Sequence, residues 1–510
     1  MATRATEKSS PLGPYRPTLI LHGGAGSISR ASLPPELWSQ YHTSLLKYLT
    51  LTRELLDSGA SALDAACHAV TQLEDDPLFN CGRGAVFTEQ GTIEMEASVM
   101  VCSLDPAGPP AGAIKRGAAV SLVRNTRHPI LLAKEVLVAP DDEDGLGGTS
   151  TMHCHLSGRQ VEEWGWNERG LERKPDEWFW TKKRWEEHRR GLHKPSSYTS
   201  ENIFAPEAPP SKSRIQNNHE DMDSSEIPSQ GTVGAVCLDS WGNLAVATST
   251  GGLTNKKAGR IGDTPTIGAG FWAEAWEEPT SCPARRDHDA VQRQLFEHRN
   301  QPVLNQAWAK LGELVASCMT VLGPDVRYHQ LNKASPAAAT SYPQSYHSPF
   351  SPADFSARRK RKRRRAVAMS GTGNGDSFLR TNAVRTAAAM CRYSPATSLS
   401  DAVTAITGPG GELQSSAGDR WGRTGEGQGG IIGIEVINDE FDFDNERCRY
   451  SASPESIYCA TTNGGKTTPK KKMGRAVFDF NCGGLFRAYY EHQEREREEK
   501  PKVMVFKDEY

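Results

Sequence analysis

Glycine 231 precedes a threonine at the head of the stretch Gly231-Thr232-Val233-Gly234-Ala235-Val236-Cys237-Leu238-Asp239. From Val233 onward the pattern is that of a buried strand, so the dipeptide stands where a turn enters a sheet. As structure, this is a turn and no more. As chemistry, a hydroxyl behind glycine becomes an amino-terminal nucleophile if the Gly231–Thr232 bond is cut, because the freed α-amine can act as its base. Such an amine has an unperturbed pKa of about 7.7–8.0, near enough to neutrality to accept a proton and return it. The same hydroxyl could make the cut by attacking the Gly231 carbonyl, which a glycine leaves uncrowded.

Downstream lie Ala247-Thr248-Ser249-Thr250-Gly251-Gly252-Leu253-Thr254-Asn255-Lys256-Lys257-Ala258-Gly259-Arg260-Ile261-Gly262-Asp263-Thr264-Pro265 and then Gly268-Ala269-Gly270. Four further segments accompany them in order: His22-Gly23-Gly24-Ala25-Gly26, Asp76-Pro77-Leu78-Phe79-Asn80-Cys81-Gly82, Gly371-Thr372-Gly373-Asn374-Gly375 and Asn481-Cys482-Gly483-Gly484-Leu485-Phe486-Arg487. Together they resemble the plant-type asparaginase and isoaspartyl peptidase family of amino-terminal nucleophile hydrolases. The resemblance covers roughly residues 18–135, 229–280, 366–410 and 427–490.

That resemblance implies an α+β fold, a four-layer αββα sandwich with two antiparallel sheets inside. It also implies a precursor that splits into an α subunit, residues 1–231, and a β subunit, residues 232–510, which pair again as (αβ)2. Thr232 would be the nucleophile and Thr250 the hydroxyl that orients it. Thr372 and the Gly373 amide would hold the oxyanion, and Asn80 would contact the vicinity of the nucleophile. Arg260 would grip a carboxylate through its forked nitrogens, Asp263 would pair with an α-ammonium, and Gly375 would leave room for that amine. His22 would serve structure rather than proton transfer. The expected substrate is L-asparagine or a β-aspartyl peptide, and no cofactor is required. Sodium, held by main-chain carbonyls of Leu73, Glu74, Asp76, Phe79, Cys81 and Arg83, is implied by relatives only. Carbonyl ligation leaves almost no side-chain signature.

Lys and Arg number 60 against 62 Asp and Glu, a formal net charge of -2 that advertises neither nucleic acid nor membrane. Eleven cysteines are scattered without a CxxC pair, and the amino terminus has no apolar signal-like run, which favours reduced thiols in the cytosol or nucleus. No stretch approaches the roughly 18 apolar residues of a membrane helix.

Periodicity predicts a strand at Thr18-Leu19-Ile20-Leu21, a helix from Leu37 to Leu56, and a second helix opened by the capping box Ser61-Ala62-Leu63-Asp64. Strands follow at 84–87, 93–100 and 118–123, then a helix at 130–137. Residues 143–230 read as a loose, insertion-bearing tail of the first subunit, its second half a flexible linker. A second insertion spans 280–365, helical in pattern at 290–322 and biased to Ser, Pro, Ala and Tyr at 335–355. It ends in Arg358-Arg359-Lys360-Arg361-Lys362-Arg363-Arg364-Arg365, which reads either as a nuclear-import signal or polyanion contact, or as a solvated charged loop. Strand patterning resumes at 429–434 and 456–460, and 491–500 suggests an exposed helix end.

Asp376 stands where relatives of this kind carry glutamate, and Phe271-Trp272-Ala273-Glu274 partly resembles threonine aspartase, an endopeptidase that lacks the Asp263 counterpart. Glycosylasparaginase is a second alternative, although its lysosomal setting calls for a signal peptide and disulfides. A different class also stays open: an uncleaved pseudoenzyme or nuclear interaction protein working through its insertions and basic run.

Overall fold

Alternation along Thr18-Leu19-Ile20-Leu21 becomes a strand whose Leu19 and Leu21 enter one apolar core while Ile20 enters another. The structure is a computed structural model describing residues 13–105, 116–139, 153–193, 231–278, 361–441, 472–492 and 499–510. The chain divides into two units, Met1–Glu278 with Arg361–Tyr510, and Pro279–Lys360. The second lies outside the described residues, as do the expected helix at 290–322, the biased segment 335–355, residues 194–230 of the expected tail and the strand expected at 456–460.

The first part contains β1 (Tyr15–Arg16), β2 (Thr18–Gly26), α1 (Pro35–Asp57), α2 (Ala62–Asp75), β3 (Met95–Ser103), β4 (Gly117–Val123) and α3 (Pro129–Val138). After these come β5 (His155–Ser157), α4 (Arg159–Asn167), α5 (Asp176–Phe179) and α6 (Lys182–His193). Beyond Gly231 run β6 (Val233–Leu238), β7 (Asn243–Thr250), β8 (Phe271–Glu278) and β9 (Arg361–Gly373). Helices α7 (Gly375–Thr381), α8 (Ala383–Tyr393), α9 (Leu399–Thr407) and α10 (Glu412–Ala417) follow. Strands β10 (Gly429–Phe441), β11 (Lys472–Met473), β12 (Arg475–Phe480), β13 (Gly484–His492) and β14 (Glu499–Met504) close the chain.

One sheet has the order β14-β13-β2-β6-β7-β3-β4-β5, and its pairs are antiparallel except β4 with β5. A second, antiparallel sheet has the order β12-β10-β9-β8, and β1 pairs with β11 in parallel. The result is a mixed α+β fold. Leu45 and Leu49 of α1, Val70 of α2 and Ile130 of α3 share a core with Leu21, Val99 and Ala235 of the larger sheet. Ile20, Val236 and Val246 share another with Phe271, Ala368 and Ile432 of the smaller one. Val367, Met369 and Ile431 meet Val384, Ala387 and Val403 of α8 and α9 in a third. Strands β2, β6, β9 and β10 therefore use both of their faces, and their two-residue period sorts side chains between cores.

Four sequence expectations are corrected. Residues 84–87 are not a strand: a 3-10 turn, Gly82–Gly84, leads to a single bridge between Phe87 and Ile93. Residues 153–193 are not a loose tail, because Val161, Trp164 and Phe179 are buried and Glu162 Oε1 accepts the amides of Arg124, Asn125 and Thr126 at 3.1, 2.7 and 2.9 Å. Tryptophans that composition counted as part of a polar segment supply the missing apolar surface. The last five residues of the basic run belong to β9, where all five pair with β10 and Arg363, Arg364 and Arg365 pair with β8 as well, so they do not form a solvated loop. Of the expected helix end at 491–500, the described residues 491–492 and 499–500 pair as the ends of β13 and β14 instead, and the rest lies outside the described residues. At α2 the cap is half as expected: Ser61 Oγ accepts the Asp64 amide at 3.1 Å, but donates to Asp64 Oδ2 at 2.7 Å.

Among the described residues no helix is long and apolar enough to cross a membrane. The seven described cysteines are all free thiols.

Candidate active site

The strand ends build the site. Val233 opposite Ser249 sets the β6–β7 register, which brings Thr232 and Thr250 to the same end of two adjacent strands. On the far side of β7, Glu96 of β3 stands opposite Thr250. Strand β9 of the other sheet ends at the same place with Thr372 and Gly373, and α7 begins two residues later. The result is a cavity of about 200 Å³ whose lining includes Gly231, Thr232, Thr250, Arg260, Asp263, Gly373 and Gly375.

Thr232 is buried, and its Oγ1 lies 3.1 Å from Oγ1 of Thr264. Thr250, the residue expected to hold it, instead accepts the Gly252 amide at 3.0 Å and so closes the turn after β7. No described hydrogen bond joins Thr250 to Thr232. Thr264 lay within the quoted motif, but nothing about a hydroxyl beside an acid singled it out.

Gly231 faces the expected oxyanion donors. A Cβ there would stand 2.6 Å from Thr372 Oγ1 and 3.3 Å from the Gly373 amide nitrogen, so any other residue would collide with them. Thr372 Oγ1 accepts the Ala25 amide at 3.1 Å, which occupies a lone pair and leaves its proton to be donated elsewhere.

Arg260 reaches Asp376 Oδ1 with Nη2 at 3.1 Å; Arg260 is 20% exposed and Asp376 73%. Asp263 is buried with Oδ2 unpartnered, and burial pushes its pKa up to about 7, against the pull of Arg260. Gly375 lies between them: a Cβ there would meet Asp263 Oδ1 at 2.7 Å and Arg260 Nη2 at 2.8 Å. Glu96, absent from the sequence expectations, holds the Gly262 amide with Oε1 at 2.8 Å and leaves Oε2 unpartnered. Its burial raises its pKa, with Lys256 acting in the opposite direction.

His22 is fully buried. Its Nε2 contacts Ser370 Oγ at 2.8 Å, and burial drives its pKa down to about 3, with the Thr232 backbone pulling the other way. A neutral ring bridging strands fits the structural role expected of it. Asn80 does not bond Thr232; its Nδ2 donates to the Gly252 carbonyl at 2.8 Å and its Oδ1 accepts the Val86 amide at 3.1 Å. It therefore acts on the neighbourhood through the Gly251-Gly252 turn.

The carbonyls proposed for sodium lie where α2 gives way to the 3-10 turn. Those of Leu73, Asp76 and Cys81 each accept one amide, from Asp76, Phe79 and Gly84 at 3.3, 3.2 and 2.9 Å, which leaves a second lone pair on each. Glu74 Oε2 is buried there without a partner, and burial holds that carboxyl's pKa well above the usual range. An oxygen-rich, buried loop of this kind fits a hard cation. Among the described residues there is no cluster of three or more His, Cys, Asp or Glu that could hold a metal.

The asparaginase family model matches residues 15–282. A Dictyostelium discoideum protein provisionally named isoaspartyl peptidase/L-asparaginase is 37% identical over 264 residues, which cover 50% of this chain and 70% of that protein. The isoaspartyl peptidase of Escherichia coli is 34% identical over 264 residues, 52% of this chain and 70% of its own length. The isoaspartyl peptidase/L-asparaginase of Rattus norvegicus is 35% identical over 256 residues, 50% of this chain and 62% of its own. By the extent of these matches, the chain belongs to the asparaginase family of isoaspartyl peptidases and L-asparaginases.

Proposed function

We propose that this protein is an amidohydrolase that cleaves the side-chain amide of L-asparagine and the isopeptide bond of β-aspartyl peptides, using Thr232 as an amino-terminal nucleophile. The observation that carries the reading is one cavity that presents Thr232 together with Arg260 and Asp263, whose carboxyl oxygen Oδ2 is unpartnered. A guanidinium and a carboxylate on one wall match the α-carboxylate and α-ammonium of an amino acid, and a β-aspartyl substrate offers both.

In maturation, the Thr232 hydroxyl attacks the Gly231 carbonyl. A bond forms from Oγ1 to the carbonyl carbon, the carbon–nitrogen bond breaks, and the hydroxyl proton ends on the departing nitrogen. Water then opens the ester, leaving a Gly231 carboxylate and a free Thr232 amine. In turnover that amine takes the hydroxyl proton while Oγ1 attacks the substrate amide carbon. Thr372 Oγ1 and the Gly373 amide receive the developing charge, a contribution of about 2.7–4 kcal/mol per donor in comparable sites. The amine returns the proton to the leaving nitrogen, and water releases aspartate.

Residues 1–231 and 232–510 would then be the α and β subunits, paired as (αβ)2, with the helices and two sheets stacked as four layers. Sodium on the 73–83 loop would order the segment that carries Asn80, without a part in bond making. A cytoplasmic setting suits the free thiols. The Asp263 carboxyl in the cavity favours this reading over an endopeptidase, whose substrate has no free amine to meet it.

Intact-mass analysis of wild type beside Thr232→Ala, with aspartate release from asparagine and a β-aspartyl dipeptide, tests the proposal. Two fragments meeting at Gly231/Thr232 and aspartate release in wild type alone are expected. An uncut wild type that releases no aspartate would overturn it.

A further inference from the structure

Before the Gly231–Thr232 bond is cut, the nitrogen of Thr232 is an amide and cannot accept a proton. The base that serves the mature enzyme is therefore missing at the step that creates it, and the Thr232 hydroxyl must be set up by something else. His22 is poorly suited, since its Nε2 is bound to Ser370 and its pKa lies near 3. Thr250 caps its own turn with its lone pair. The one described side chain bonded to the Thr232 hydroxyl is Thr264, at 3.1 Å between two buried oxygens.

Thr264 is held in place by its surroundings. Its carbonyl accepts Ser98 Oγ from β3 at 2.7 Å. The preceding Asp263 carbonyl accepts the Thr266 amide at 3.0 Å, which tightens the turn. Gly270 packs so closely behind that a Cβ there would stand 3.0 Å from the Thr264 Cα. A buried hydroxyl on a backbone fixed this way offers one direction for a hydrogen bond, and thereby selects a rotamer for its partner.

We propose that Thr264 is a positioning residue for maturation: its hydroxyl fixes the Thr232 Oγ1 in the uncut chain and sets the rate at which the Gly231–Thr232 bond opens. The inference rests on the autocatalytic reading above. Thr264 gains and loses no proton overall; it holds the attacking oxygen while that oxygen's proton passes to the departing nitrogen. Once the α-amine is free, it becomes a second group acting on Oγ1, so dependence on Thr264 falls.

The test follows precursor loss by intact mass in full-length wild type, Thr264→Val and Thr264→Ser, with kcat measured per cleaved molecule. Valine keeps the volume and removes the hydroxyl, whereas serine keeps the hydroxyl. Cleavage is expected to slow by about tenfold or more in the valine variant and to return to within about threefold of wild type in the serine variant, as loss of an orienting contact predicts. The kcat of the cleaved valine fraction should fall by a smaller factor than the cleavage rate. Valine protein cut as fast as wild type would overturn the proposal, and so would serine protein as slow as valine. If Thr264→Val shows no thermal unfolding transition, Thr264→Ala against Thr264→Ser, a pair differing by one oxygen, decides the same question. An uncut wild type removes the autocatalytic reading itself, whereas a cut wild type with an equally cut valine variant removes only this role for Thr264.

Discussion

Two arginines with acidic neighbours define the two ends of this molecule's chemistry. Arg365 is 1% exposed; Nη1 lies 3.4 Å from Glu278 Oε1, Nη2 pairs with Glu435, and carbonyls of Cys391 and Thr397 take further bonds at 3.4 and 2.7 Å. Arg260 has one described ion pair, to the exposed Asp376, while the nearby Asp263 and Glu96 each keep a buried oxygen without a partner. The first guanidinium is consumed by the protein. The second leaves charge and hydrogen-bonding capacity facing a cavity, which is what a binding site requires and a core does not tolerate without cause.

The sharpest way to break the comparison is to remove each guanidinium. Arg365→Met would leave buried Glu435 without a described ion pair and Glu278 with Arg363 alone, a loss of about 3–5 kcal/mol by the usual cost of breaking a buried pair. Chemical denaturation of the purified variant would measure it, and a change under about 1 kcal/mol would mean the cluster is not structural. Arg260→Ala should hardly alter the denaturation midpoint. It should instead lower kcat/KM on a β-aspartyl dipeptide by about a hundredfold or more, the scale of a lost charged contact to substrate. A destabilised Arg260→Ala with unchanged KM would put both arginines in the same class.

The sequence distinguished these two only in part, and for physical reasons. Arg260 and Asp263 were singled out because glycine and acid spacing in a loop travels with its chemistry, and both line one cavity with Thr232. The solvated-loop reading failed for the last five residues of the basic run because charge in sequence says nothing of partners: Glu278 and Glu435, which meet Arg365, are contributed by β8 and β10, far away along the chain. Thr264 and Glu96 were overlooked for a related reason. Each becomes functional through a neighbour across the sheet or the turn, and local pattern does not report that register. Helices α1, α2 and α3 were legible because periodicity depends on near neighbours alone. The 153–193 segment was not, since its few buried aromatics are diluted by charged residues.

A smaller effect sharpens the binding side. The Asp263 carboxyl, with its pKa near 7, is largely protonated in slightly acid solution and cannot then attract an ammonium. KM should therefore rise as the pH falls below 7, by up to about tenfold per unit for a single proton, while kcat changes less. The linkage sign is opposite for stability. A native pKa raised above the unfolded value of 3.8 means that ionisation costs native stability, fully above pH 7 and not at all well below 3.8. Asp263→Asn should accordingly unfold a few degrees higher at pH 8 while losing the pH dependence of KM. A melting temperature lowered by that change would indicate that the carboxylate has a structural partner, as Arg365 has.

The smallest expected effect concerns Asp376, the built-in partner of Arg260. An exposed carboxylate facing a half-buried guanidinium in solvent contributes little to stability, so Asp376→Ala should move the melting temperature by no more than about a degree. It competes, however, for the same forked nitrogens that a substrate carboxylate would use. Its removal should lower KM by about two- to threefold at low salt, and the difference should fade as ionic strength screens the competition. A KM raised more than about tenfold would mean that Asp376 belongs to the binding surface itself. Arg260 would then need a protein-supplied acid to be competent, and the contrast with Arg365 would narrow to a difference of burial.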